Sequence, residues 1–216
     1  RVVRNLAATY LGRDAGELVL SGRIERGVAD RIEAVLWFSD LSGYTRITDS
    51  AAPEEIIPLL NDYAEVVVSA IRDQGGDVLK LIGDGVLAIF TADDSAKACA
   101  AAIGAVLAAE QGIAALNQRR AAEHLPTTRM YVGLHIGEVF FGNIGSPDRL
   151  DFTVVGPAVN EASRIAAMCR SVDQKMLVSA PFAAVLRDAG PRLVSVGRYA
   201  LRGVKQPQEL FTLDRS

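Results

Sequence analysis

Runs of consecutive apolar residues alternate along this chain with stretches whose apolar positions recur every three or four residues. The first run lies in "IEAVLWFSD" (32–40), where five successive apolar residues, Ala34 to Phe38, predict a strand buried on both faces. "LSGYT" then turns the chain. Ile57, Leu60, Tyr63, Ala64, Val67 and Ile71 follow at helical spacing. Asp49 or Ser50 is the expected cap, Pro53 and two glutamates fill the first turn, and Gly75-Gly76 is the stop. "DVLKLIGDGVLAIF" (77–90) reads as two strands around a Gly83-Asp84-Gly85 turn, and an Ala-rich helix runs from about Ser95 into the 110s. "TRMYVGLHIGEVFFGNIG" (128–145) is a strand pair or a bent strand broken by glycines. "DFTVVG" (151–156) is a short strand entering a helix over 157–169, with Pro157 in its first turn. The tail, "GRYALRGVKQPQELFTL", gives two short strands around a proline turn. Strand pairs between helices, without regular strand–helix alternation, predict an α+β fold: a mixed, mainly antiparallel sheet with helices packed on it. Residues 1–27, with sparse apolar positions and several glycines, are expected to form an N-terminal appendage or coupler leading into one domain over 28–216.

Composition narrows the function classes. Half of the 216 residues are hydrophobic, enough for a sizeable core, and the net charge of -3 gives no global basic signal for nucleic acid or an anionic membrane. Two cysteines without metal-like spacing, Cys99 and Cys169, and two well-separated histidines, His124 and His135, offer no zinc pattern and fit a reduced, cytoplasmic setting. The longest low-polarity stretch, residues 98–109, falls short of the roughly 20 apolar residues that span a bilayer, so it reads as a core-facing helix. Because the chain begins at Arg1 rather than methionine, it is expected to be a piece of a longer protein. An upstream regulatory domain or a membrane anchor belongs to that expectation.

Three features carry chemistry. Asp40 ends an apolar strand and Asp84 sits between two glycines in a tight turn. If strand and hairpin lie side by side, both carboxylates emerge at one sheet edge and suit magnesium or manganese. Both are also ordinary turn aspartates. Lys80 interrupts a buried strand, where an ammonium needs a partner: solvent reached by snorkelling, a carboxylate, or a ligand. Asn160 and Arg164, four apart on the last helix, share a face and make either a clamp for an anion or a solvated surface pair.

Read in order, "FSDLSGYT" (38–45), "LKLIGDGVLAIF" (79–90), "VGLHIGEVFFGNIGS" (132–146), "DFTVVGPAVNEASRI" (151–165) and "LRGVKQPQELF" (201–211) resemble the class III nucleotidyl cyclase catalytic domain. The resemblance covers about residues 30–213. It implies a ferredoxin-like, palm-like fold and two divalent cations, Mg or Mn, held by Asp40, Asp84 and the carbonyl of Leu41. Gly43, Tyr44 and Thr45 fall on an amide-lined phosphate site at a helix start, and Arg202 on the position that holds the terminal phosphates. Lys80 matches the base-selecting lysine of adenine cyclases, Asn160 the residue that orients the ribose, and Arg164 the one that stabilises the transition state. Thr153 stands where many adenylyl cyclases have aspartate, as in a subset of bacterial cyclases. Its hydroxyl serves adenine but discriminates less sharply than a carboxylate. The implied activity is conversion of ATP to 3′,5′-cyclic AMP and pyrophosphate at sites shared across a homodimer. The acids come from one copy, and the lysine, threonine, asparagine and arginine from the other. A guanylate cyclase and a non-catalytic nucleotide-binding module are the alternatives. "GGDV" (75–78) lacks the ending of the diguanylate cyclase signature. His135, Trp37, Phe38 and both cysteines read as packing residues rather than chemistry.

Overall fold

The computed structural model describes residues 17, 20–22, 29–146, 149–187, 190–204 and 206–215. Apart from residues 17 and 20–22, the expected appendage over 1–27 lies outside the described residues. Strand β1 (Ala29–Leu41) is followed by helices α1 (Tyr44–Ser50) and α2 (Pro53–Asp73) and by the hairpin of β2 (Asp77–Ile82) and β3 (Gly85–Phe90). Then come α3 (Ser95–Ala122), β4 (Met130–Ser146), β5 (Arg149–Val155), α4 (Pro157–Ser171), β6 (Met176–Ser179), α5 (Ala180–Leu186), β7 (Leu193–Tyr199) and β8 (Gln208–Leu213). One sheet runs β2-β3-β1-β4-β6-β8-β7, with β5 also on β4. Among the described residues, only the β4–β6 ladder is parallel. The expected α+β architecture with a mainly antiparallel sheet is the one observed.

β1 is buried on both faces, as five successive apolar residues require. Val35, Trp37 and Leu41 pack with α2 and α3, while Ala34 and Leu36 join Ala158 and Ala162 of α4. Within the stretch 128–145 there is one long strand, Met130–Ser146, not a pair, because β1 runs along one side of it from Met130 to Gly142. β6 and β5 divide the other side at residues 132–134 and 140–146. The absence of a side chain at Gly133 brings α4 close: a Cβ there would lie 2.4 Å from the backbone nitrogen of Ala166 and 2.5 Å from the carbonyl of Ala162. α3 is long and apolar enough to span a bilayer, yet its Ala98, Cys99, Ala102, Ile103 and Val106 lie in the core.

Several local expectations are corrected. "LSGYT" does not merely turn the chain but opens the short helix α1, and α2 is capped at Ala52 without a side-chain bond, so neither Asp49 nor Ser50 serves. Ile57 is exposed, and Leu59 lies in the core instead. β6 and α5 carried no expectation. Four residues of strand and seven of helix are too short for periodicity to declare.

Candidate active site

The glycine-flanked turn decides where Asp84 stands. Gly83 takes φ 61°, and a Cβ on Gly85 would come within 2.9 Å of the Ser39 carbonyl. Only glycine there lets the β2–β3 turn lie against the end of β1. The backbone N–H of Leu41 donates to Asp84 Oδ2 at 3.0 Å, which fixes that carboxylate beside Asp40. Asp40 Oδ1 is buried and has no hydrogen-bond partner among the described residues. Burial, and then the Asp84 charge, push the Asp40 carboxyl up to about 6, while Arg170 of α4 pulls it down. A cavity of about 180 Å³ opens beside the two acids, walled by Asn61, Tyr63 and Ala64 of α2 and by Gly83 and Val86 of the hairpin.

Immediately after these acids, Gly43 adopts a left-handed conformation at φ 69° and α1 begins at Tyr44. Gly43, Tyr44 and Thr45 are thus within five residues of Asp40. A polar cavity of about 350 Å³ lies alongside, lined by Ser42, Arg46, Asn117, Thr127, Thr128 and Arg129. Arg46 and Arg129 had given no signal in the sequence, because an arginine at a helix surface or strand start is ordinary there.

Within the hairpin, four residues before Asp84, Lys80 on β2 forms an ion pair with Asp151 on β5, although the two strands share no ladder. Thr153, two residues further along β5, is 9% exposed. Asp151 went unnoticed in the sequence. The available signal was the period of two that puts it on the same face as Thr153.

α4 buries Ala158, Ala162, Ile165, Ala166 and Cys169 and turns Asn160 outward, with Arg164 half-buried. The tail turn reaches the same helix: a Cβ on Gly203 would lie 3.2 Å from an Arg164 guanidinium nitrogen. Arg202, next to it, is exposed. Among the described residues, no ion pair or hydrogen bond joins Asp40 or Asp84 to Asn160 or Arg164. The α4 residues that Asp40 feels are Cys169 and Arg170. Asn160 lies ten residues up the helix from Arg170, about 15 Å at the α-helical rise.

His135 is a packed histidine: buried, with Nδ1 2.8 Å from Ser179 Oγ and Nε2 3.6 Å from Glu161. Trp37 is fully buried, and its indole donates to Ser39 Oγ at 2.9 Å. Cys99 and Cys169 are free and buried, and burial pushes both thiols up to about 12.

The model of the adenylate and guanylate cyclase catalytic domain matches residues 28–215. This chain belongs to that family. The cyclase domain is 34% identical to an adenylate cyclase of Anabaena cylindrica over 160 residues, 72% of this chain and 31% of that protein. The chain therefore spans about a third of the length of the curated relatives it matches. The adenylyl cyclase CyaB of P. aeruginosa shares its fold with a TM-score of 0.80 at 24% identity, covering 88% of this chain and 97% of that one. The guanylyl cyclase Cya2 aligns with a TM-score of 0.72 at 29% identity, over 86% of this cyclase domain and 93% of its own chain.

Proposed function

We propose that this cyclase domain converts ATP to 3′,5′-cyclic AMP and pyrophosphate, in sites completed by a second copy of the chain. The observation that carries the reading is the forced approach of Asp40 and Asp84, with one buried carboxylate oxygen left without a partner. Two like charges held together at a cavity are unfavourable unless a cation joins them. The donor set, two carboxylates and the Leu41 carbonyl, fits magnesium or manganese, whose remaining coordination positions are commonly filled by substrate phosphates and water. Bound there, divalent cations supply Lewis-acid chemistry, lowering the pKa of the ribose 3′ hydroxyl and offsetting charge on the leaving pyrophosphate.

The chain's own groups do the positioning. Lys80, with Thr153 nearby on β5, reads the purine. Asn160 holds the ribose so that its 3′ oxygen lies in line with the α-phosphorus, and Arg164 meets the charge that grows on the α-phosphate. Gly43, Tyr44, Thr45 and Arg202 hold the terminal phosphates. The new 3′ O–P bond forms as the bond to the β-phosphate oxygen breaks, and the 3′ proton passes to solvent. The helix separation of about 15 Å between Asn160 and the neighbours of Asp40 favours acids from one copy facing Asn160 and Arg164 of another.

The test is a cyclase assay on the purified chain with ATP and GTP, in magnesium and in manganese, over a range of protein concentrations. Cyclic AMP whose specific rate rises with concentration is expected. Mixing an Asp84→Ala chain with an Arg164→Ala chain should restore activity that neither has alone. No recovery from two folded variants rejects the shared site. A second reading, guanylate cyclase, is favoured by the likeness to Cya2 and by Thr153 in place of a carboxylate. Cyclic GMP outpacing cyclic AMP in that assay would establish it.

A further inference from the structure

The base end of the site contains a carboxylate that the family resemblance did not assign. Lys80 and Asp151 pair across two strands that share no ladder, with side chains 39% and 45% exposed. So exposed an ion pair contributes little to stability, and packing alone gives no reason for it. Asp151 and Thr153 are two apart on β5 and share a face. Directly across the ladder from them stand Ile144 and Gly142, an apolar side chain and a position with none. Ile144 is exposed while Gly142 is buried, and an exposed apolar side chain with a paired ammonium and carboxylate beside it suits a flat heterocycle with a polar rim. Thr153 is nearly covered, whereas Asp151 is open to whatever approaches Lys80.

We infer that Asp151 is a specificity-determining residue of this cyclase domain, accepting a hydrogen bond from the 6-amino group of adenine while Lys80 donates to a ring nitrogen. This rests on the reading of the chain as a nucleotide cyclase. An ionised carboxylate only accepts, and an ammonium only donates. At position 6 adenine presents a donor and guanine an acceptor. Asp151 therefore attracts the first and repels the second, which supplies the discrimination that a threonine hydroxyl lacks. Without substrate, the same carboxylate keeps Lys80 paired and aimed at the base end. Both groups come from one copy, so each half of a dimer carries its own reader.

The experiment is a cycle of two changes on the full chain: Asp151→Asn in the protein, and replacement of ATP by purine riboside triphosphate, which lacks the 6-amino group. Wild type should lose about tenfold or more in kcat/KM when the amino group is removed, mostly through KM. Asp151→Asn should show the same loss with ATP and almost no further loss with the analogue. Its ATP-to-GTP preference should shrink by a similar factor, while Asp151→Glu retains most of it. Equal falls with ATP, GTP and the analogue would reduce Asp151 to a prop for Lys80 and overturn the inference. So would a wild type indifferent to the amino group, a measurement that stands even if Asp151→Asn fails to fold. A wild type that makes no cyclic nucleotide at all rejects the functional reading and this inference together. A wild type active on ATP, with the preference unmoved in Asp151→Asn, rejects this inference alone.

Discussion

Two charged positions on the β2–β3 hairpin, the turn and the middle of β2, handle charge in opposite ways. At the turn, Asp84 is fastened beside Asp40 by the Leu41 N–H, and a carboxylate oxygen is buried with no partner. At the strand, Lys80 meets Asp151 in a half-exposed ion pair. One sets a like charge beside a buried carboxylate, and on the proposed reading a cation offsets it. The other is neutral before anything binds. On the proposed function, the first is expected to govern whether chemistry occurs and the second which molecule is accepted.

The sharpest way to break this contrast is Asp84→Ala. If the acid end governs chemistry, losing a group that supports several kcal/mol of transition-state stabilisation lowers kcat/KM by about a thousandfold or more. ATP and GTP should suffer alike. A variant that keeps a tenth of wild-type activity would remove the acids from the chemistry.

Lys80→Ala addresses the other position and should cost less, about ten- to a hundredfold, as expected for one hydrogen bond to a charged group. The loss should fall mainly in KM and mainly for one base. If it reduces kcat for both nucleotides as severely as Asp84→Ala does, the two positions do not divide the work.

The same contrast explains how far the sequence could be read. Asp84 between two glycines was visible because a turn that tight leaves few choices, and the apolar run of β1 placed Asp40 at a strand end. Lys80 stood out as a misfit in an apolar run expected to be buried, although β2 is an edge strand in which Leu79 is buried and Leu81 and Ile82 are exposed. Its partner did not stand out. Asp151 lies 71 positions further on, in a strand that joins β4 rather than β2. Pairing between strands without a common ladder leaves no local pattern. The α+β sheet followed from mixed element order, whereas β6, α5 and α1 were too short to show a period. The capping of α2 was misjudged because α1 takes up the residues that looked like its cap.

Asp40→Asn tests whether the acid end is held against stability. Its carboxyl is raised from the ordinary 3.8 to about 6, so the folded chain prefers it protonated. The preference favours the metal-free fold at low pH and is lost as pH rises through 6. At pH 8 with chelator, Asp40→Asn should therefore be more stable than wild type. The gain is about 1 kcal/mol once solvent screening of a partly exposed group is allowed for, or about 2–4 °C in Tm. Below pH 3.8, where the carboxyl is protonated in both states, the two should melt together. Adding manganese should raise the Tm of the wild type and not of the variant. A variant that melts lower than wild type at pH 8 would mean that the fold does not resist this charge.

The smallest effect belongs to His135, and it must be separated before the acid end can be read by pH. Burial holds this imidazole below its ordinary 6.5, against the opposing pull of Glu161. The folded chain thus prefers it neutral, so its contribution is present above 6.5 and is lost as pH falls through the lowered value. That runs opposite to Asp40, whose protonation favours the fold as pH falls from about 6 towards 3.8. The two trends offset each other, so the wild type alone should show a shallow profile. His135→Asn, with an amide to bond Ser179, removes one of the two trends. Its stability, lower overall, should fall less steeply than wild type on acidification below 6.5, leaving the Asp40 gain exposed near pH 6. Parallel profiles for the two proteins would mean that His135 does not titrate within the fold, and the shallow wild-type curve would have to come from elsewhere.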